Sequence, residues 1–249
     1  MWKIKPILCG TLEIDKSAFL HGRNQGQIIQ APSYSWYLKG PEGKILVDTG
    51  YGDPELMSRL HRPCRKSEEQ KIENALKALG TSPEEIDIVV LTHLHWDHCG
   101  DLGLFKNATL IVRREELSYA IAPLGEDAVR YDSPTIGRIP SWLDKKFEFI
   151  KGDKEIISGI DLIFTPGHTP GHQSVSVETE KGTYVIAGDA IPLHDNLIGT
   201  KDVKFISTGL YFDYQWWWES AEKILEIAGK KERILPGHDI EVIKKSEYP

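Results

Sequence analysis

Four side chains able to bind a metal stand within six positions in the segment THLHWDHCGD, residues 92–101: His93, His95, Asp97 and His98. Imidazole and carboxylate together suit zinc, iron, manganese or cobalt. The segment follows Ile88, Val89, Val90 and Leu91, an apolar, β-branched run suited to a buried strand. On an extended chain His93 and His95 point the same way, because side chains alternate. A sharp turn at Trp96, helped by Gly100, turns Asp97 and His98 back toward them. A second cluster, TPGHTPGH at residues 165–172, presents His168 and His172 on Pro-Gly turns. His168 follows directly from the apolar run at residues 162–164 and is the expected ligand, with His172 in a supporting place. Asp189, in AGDA, and His238, in LPGHD, each close an apolar run. His93, His95, Asp97, His98, His168, Asp189 and His238 are too many for one tetrahedral zinc and fit two divalent metal ions sharing a carboxylate. Two metals about 3.5–4 Å apart can clamp both oxygens of a hydrolytic transition state. Zinc is the first expectation, and iron, manganese or cobalt accept the same nitrogen and oxygen set.

The elements that must position these residues are legible as α/β. Residues 36–38 and 44–47 flank Gly40-Pro41-Glu42-Gly43, the pattern of a β-hairpin. Residues 67–79 read as one helix, with Ser67 and Gln70 as a capping box and Gly80 as its stop. Residues 110–112, 162–164, 174–177, 184–187 and 234–235 read as strands, and residues 115–121 and 219–228 as helices. GKILVDTG at residues 43–50 echoes GTYVIAGDA at residues 182–190; each is followed by a helix and an apolar strand ending near a histidine. This spacing predicts two related βα units whose strand ends meet, the place where α/β folds put their chemistry. Residues 122–146, rich in Pro and Gly, form an irregular excursion suited to a binding loop.

Composition bounds the remainder. The chain has 249 residues, read as a single domain over 1–249, with Lys plus Arg 30 against Asp plus Glu 37 and a net charge of −7. That balance argues against nucleic acid as a partner. No apolar stretch is long enough for a membrane-spanning helix, so no membrane partner is expected. Three cysteines without a CxxC pair point to a reducing, cytoplasmic setting rather than a disulfide framework. Cys99 is expected to pack rather than ligate. Trp216, Trp217 and Trp218 cannot all be buried on one helix; one or two are expected to face the pocket or a partner subunit, as in a homodimer.

VDTG at residues 47–50, HLHWDH, TPGHTPGH, the GDA strand end and PGHD, in this order, resemble the metallo-β-lactamase superfamily. The resemblance implies an αββα sandwich with metals at one edge of the sheets. It assigns His93, His95 and His168 to one metal, Asp97, His98 and His238 to the other, and Asp189 to both, with Asp48 supporting the motif loop. Within the superfamily, the TPGHTPGHQS loop and PGHDIE are most similar to the N-acyl-homoserine lactonases. That implies opening of a lactone or ester by hydroxide held between the metals, with Asp97 handling a proton. Those lactonases carry a tyrosine three positions after the bridging aspartate, where this chain has Pro192. His194, Tyr211 and Tyr214 are the candidates to supply the missing oxyanion or substrate contact. A glyoxalase-II-like thioester hydrolase is the alternative, disfavoured because about a dozen residues follow His238.

Overall fold

The computed structural model describes residues 1–249. β1 (Lys3–Asp15) and β2 (Ile28–Gly40) pair antiparallel, and β3 (Gly43–Val47) folds back on β2 as the expected hairpin, with Trp36 opposite Val47. β4 (Cys64–Arg65), β5 (Ile88–Val90), β6 (Thr109–Arg113) and β7 (Phe147–Ile150) complete a seven-stranded sheet ordered β4-β1-β2-β3-β5-β6-β7. The second sheet contains β8 (Lys154–Ile157), β9 (Ile160–Phe164), β10 (Gln173–Thr179), β11 (Gly182–Gly188) and β12 (Ile234–Pro236), ordered β12-β11-β10-β9-β8.

Period-2 alternation sorts side chains between two kinds of core. Ile45 and Val47 of β3 face inward and meet Leu162, Val175, Val177 and Ile186 of the other sheet in one cluster. Leu46, between them, faces outward against Ile72 and Leu76 of α2 (Ile72–Ala78). α1 (Pro54–Leu60) and α3 (Arg114–Ile121) also belong to the first half of the chain. On the second sheet Val185 and Ala187 point outward onto Trp217, Ala221, Ile224 and Ala228 of the C-terminal helix. Two sheets packed face to face with helices outside make an αββα sandwich, as the sequence implies. No helix is long and apolar enough to cross a membrane.

The two echoing segments occupy matching places. β3 runs parallel to β5, and β11 runs parallel to β12. Asp48 and the histidine motif follow the first pair, and Asp189 and His238 follow the second. Both parallel pairs therefore deliver their C-terminal ends to the same rim.

Three elements differ from the sequence reading. The helix expected at residues 67–79 is broken. The Ser67–Gln70 capping box closes only a 3-10 turn, Lys71 is extended at ψ 132°, and α2 begins at Ile72. Residues 122–146 contain α4 (Asp127–Arg130) and a 3-10 turn, and they bury Tyr131 and Trp142 in the outer core. α5 (Tyr214–Ala228) starts earlier than expected because Asp213 caps it, accepting the Trp216 N–H at 2.8 Å. Such a cap contributes about 1 kcal/mol and lets the helix take in all three tryptophans.

Candidate metal centre

All seven expected ligands converge at that rim. Their ligand atoms form three overlapping groups, each within 4.8 Å: His93, His95 and His168; His93, His98 and Asp189; and Asp97, His98 and His238. His95 Nδ1 lies 3.1 Å from both His93 Nε2 and His168 Nε2. Two nitrogens on a tetrahedral ion at ~2.05 Å sit roughly 3.3 Å apart, so this spacing matches an edge of such a site. On the other side, His98 Nε2 and His238 Nε2 are 3.4 Å apart. Asp189 lies between the two sets. Its Oδ1 is 3.0 Å from His238 Nε2 and 3.2 Å from His98 Nε2, and its Oδ2 is 3.4 Å from His168 Nε2.

The far nitrogens show which face of each ring is free. His98 Nδ1 donates to Asp48 at 2.9 Å, His168 Nδ1 to the Leu210 carbonyl at 2.8 Å, and His238 Nδ1 to the Pro32 carbonyl at 2.8 Å. With the proton spent there, the Nε2 lone pairs of these rings point inward, the arrangement that orients metal-ligating histidines. Asp189 Oδ1 is buried and accepts no hydrogen bond of acceptable geometry. Burial and the neighbouring imidazoles push His93 and His95 well below the usual histidine range, so both rings are neutral. Burial opposes ionisation of Asp189, but His238, His98 and His168 overcome it and hold the carboxyl well below its usual range. Burial likewise lowers His98 and His238, yet Asp189 outweighs it and raises both. A buried carboxylate that calls for positive charge among inward-facing lone pairs is a donor set that fits divalent cations.

Residues around the ligands hold this geometry. Asp48, at φ +57°, accepts from the Thr92 amide at 2.7 Å, the Thr92 hydroxyl at 2.8 Å and His98. One carboxylate thus fixes both ends of the motif loop. His172 stays outside the cluster: its Nε2 accepts the Asp189 N–H at 3.2 Å and its Nδ1 lies 3.1 Å from the Thr165 carbonyl. Burial drops its pKa to about 3, which keeps the ring neutral and Nε2 free to accept. Cys99 is buried packing, its thiol against the His95 carbonyl at 3.2 Å. The glycines of the second loop are steric necessities. A Cβ on Gly167 would strike the backbone of Trp217, and one on Gly171 the backbone of Glu116.

Glu116 is a functional residue that sequence spacing does not reveal. Buried on α3, it accepts from the Leu94 amide at 2.9 Å and the Tyr131 hydroxyl at 2.9 Å. It also accepts from the Thr169 hydroxyl at 2.6 Å and the Gly171 amide at 3.2 Å. Burial pushes its carboxyl up and these four bonds oppose that shift. Glu116 ties the loop carrying His93 and His95 to the loop carrying His168.

A narrow cavity of about 40 Å³ opens on the cluster, lined by His95, Asp97, His168, Asp189 and His238 together with Phe19, Trp96 and Leu210. Phe19 stacks on His238 with centroids 4.8 Å apart. His194, Tyr211 and Tyr214, the candidates for a substrate contact, are not among its lining residues. His194 Nδ1 is bound to Asp239 at 2.8 Å, and Tyr211 packs between His21 and Tyr214. The loop reaches the pocket one residue earlier, at Leu210, whose carbonyl is held by His168. Nor do the three tryptophans of α5 line it: Trp217 is fully buried, donating to the Ala190 carbonyl at 2.8 Å, and Trp216 is exposed.

An αββα sandwich with an HxHxDH loop, two further histidines and a shared aspartate at one rim defines a class of hydrolase fold. The chain belongs to the metallo-beta-lactamase superfamily, whose family model matches residues 29–238. It is 32% identical to an N-acyl homoserine lactonase from a Bacillus species over 250 residues, 96% of this chain and 94% of the relative. Among solved structures, it is similar to an N-acyl homoserine lactone hydrolase with the product N-hexanoyl-L-homoserine at its catalytic metal centre. That match has a TM-score of 0.77 and 29% identity, covering 97% of this chain and 95% of the other. A variant of AiiA from Bacillus thuringiensis with N-decanoyl-L-homoserine at its active site matches with a TM-score of 0.76 and 30% identity, over 97% and 95% of the two chains.

Proposed function

We propose that this chain is a metal-dependent lactonase that opens N-acyl-homoserine lactones or related lactones with two zinc ions. The observation that carries the reading is the convergence of five histidine rings on Asp97 and on the buried Asp189, whose Oδ1 accepts no hydrogen bond of acceptable geometry. His93, His95 and His168 would hold one ion, Asp97, His98 and His238 the other, and Asp189 both. When bound, two such ions make water nucleophilic at neutral pH and stabilise negative charge on the carbonyl and leaving oxygens. In the overall reaction the water oxygen bonds to the carbonyl carbon and the ring C–O bond breaks. The released alkoxide takes up a proton, leaving a hydroxy acid.

The chain's own residues do the positioning and the proton handling. Asp97 lines the cavity, with Oδ2 3.8 Å from His238 Nε2 and 4.0 Å from His98 Nε2, where a carboxylate can accept a proton from attacking water and return it to the alkoxide. Phe19, Trp96 and Leu210 supply an apolar wall that excludes bulk water. The acidic charge supports a small-molecule partner, and three free cysteines support a reducing, cytoplasmic setting.

A hydrolysis panel with zinc-loaded protein tests this reading: acyl-homoserine lactones of several tail lengths, simple γ- and δ-lactones, lactoylglutathione, an aryl ester and a β-lactam. The expected result is a kcat/KM for lactones at least about tenfold above every other class, a discrimination of about 1.4 kcal/mol. Preference for lactoylglutathione would replace the lactonase reading with the thioester one.

A further inference from the structure

Five histidines point a nitrogen at the metal cluster, and four of them have the other nitrogen held. His93 Nδ1 meets the Thr92 hydroxyl at 3.0 Å, and His98, His168 and His238 are fastened through Nδ1 to Asp48, the Leu210 carbonyl and the Pro32 carbonyl. His95 is the exception. It faces His93 Nε2 and His168 Nε2 through Nδ1, and its own Nε2 is buried with no hydrogen-bond partner. A metal-ligating imidazole ordinarily takes its orientation from a hydrogen bond at the far nitrogen. For His95, packing must supply it. Outside the ligand set one aromatic ring lies against His95: Tyr131, edge-on, with centroids 4.6 Å apart and planes at 65°.

Tyr131 is fully buried directly after α4, within the Pro- and Gly-rich excursion of residues 122–146. Two contacts fix it relative to the motif loop. The Arg130 carbonyl, one residue before it, accepts the N–H of Trp96, one residue after His95, at 2.9 Å. The Tyr131 hydroxyl donates to Glu116 Oε1 at 2.9 Å, and the same oxygen accepts the N–H of Leu94, one residue before His95, at 2.9 Å. Glu116 Oε2 takes the Thr169 hydroxyl and the Gly171 N–H beside His168. All four partners of Glu116 donate, and a carboxylate, which only accepts, satisfies them all. The backbone of His95 is thus held on both sides, and its ring rests on a side chain anchored to the same carboxylate.

We infer that Tyr131, anchored by Glu116, is the positioning residue that orients the His95 ring, and that metal binding by His93, His95 and His168 depends on it. The inference rests on the two-metal reading above. It gives the irregular excursion a task, to carry the support for one metal ligand.

The test is a double-mutant cycle on metal binding, read as the overall constant for taking up two zinc ions in competition with a chromophoric chelator. Losing the partner of a metal-ligating histidine typically costs 10–100-fold in affinity, so Tyr131→Leu is expected to lower that constant at least about tenfold. Because Tyr131 acts through His95, the same substitution in a His95→Ala background is expected to lower it less than about twofold. Tyr131→Phe keeps the ring and is expected to stay within about threefold of wild type. Trp142→Leu, a comparable truncation from the same excursion and the same core cluster, is expected to change the constant less than about twofold. Glu116→Gln keeps the side chain's volume but turns an amide NH₂ toward donors, and is expected to lower the constant about tenfold even if Tyr131→Leu does not fold. No loss in Tyr131→Leu, an equal loss in both backgrounds, an equal loss in Trp142→Leu, or an unchanged constant in Glu116→Gln overturns the inference. Wild-type protein that takes up no zinc overturns it together with the two-metal reading. Zinc uptake without lactone hydrolysis removes the lactonase reading alone and leaves the Tyr131 assignment to the cycle.

Discussion

Asp189→Asn is expected to lower kcat/KM by about three orders of magnitude, about 4 kcal/mol of transition-state stabilisation, and to leave fewer than two metals bound per chain. The substitution keeps the side chain's volume and its backbone bond to His172. It removes the charge on which His98, His168 and His238 converge. An amide also turns a donor toward inward-facing lone pairs on one side, so it cannot hold cations in both places. Metal analysis after dialysis, alongside kcat/KM on the best lactone, reads both effects. Two metals and full activity in this variant would remove Asp189 from the shared position.

Asp97→Asn is the second large effect. Removing a positioned proton acceptor costs typically 10²–10⁴ in rate, and a fall of about that size in kcat is expected here. Asp97 is the least buried of the seven and lies at the edge of the cluster, 3.8 Å or more from the nearest histidine nitrogens. His98 and His238 remain in place through Asp48 and the Pro32 carbonyl. Part of the metal is therefore expected to stay. Rate and metal content measured on one preparation distinguish the outcomes: an unchanged kcat would take Asp97 out of the proton transfer.

The site was legible where its residues are covalent neighbours. HxHxDH after an apolar strand sets the directions of His93, His95 and His98 by strand alternation and one turn, and the fold keeps them. The echo between residues 43–50 and 182–190 was legible for a related reason, since each is a strand whose end must carry an aspartate to the rim. What escaped depends on chain direction or on a single residue. Tyr211 directly follows Leu210, where the loop meets the cavity, and Tyr214 opens α5, a placement that spacing cannot show. Glu116 is a single residue on an ordinary helix, and only tertiary packing gives it its partners. In β1 the alternation breaks at a bulge between Leu8 and Thr11, where Gly10 adopts φ +119°, so no period-2 pattern runs through the strand. Lys71 interrupts a sequence with helical periodicity because the capping box ahead of it is satisfied by a single turn.

The central claim is that hydrolysis at this rim depends on two metals held by seven side chains. Titrating zinc into chelator-stripped protein, with lactone hydrolysis read at each addition, tests it most directly. The account predicts negligible activity in the stripped protein and a rise that levels off at about two equivalents per chain. A plateau at one equivalent, or full activity before any zinc is added, would contradict it.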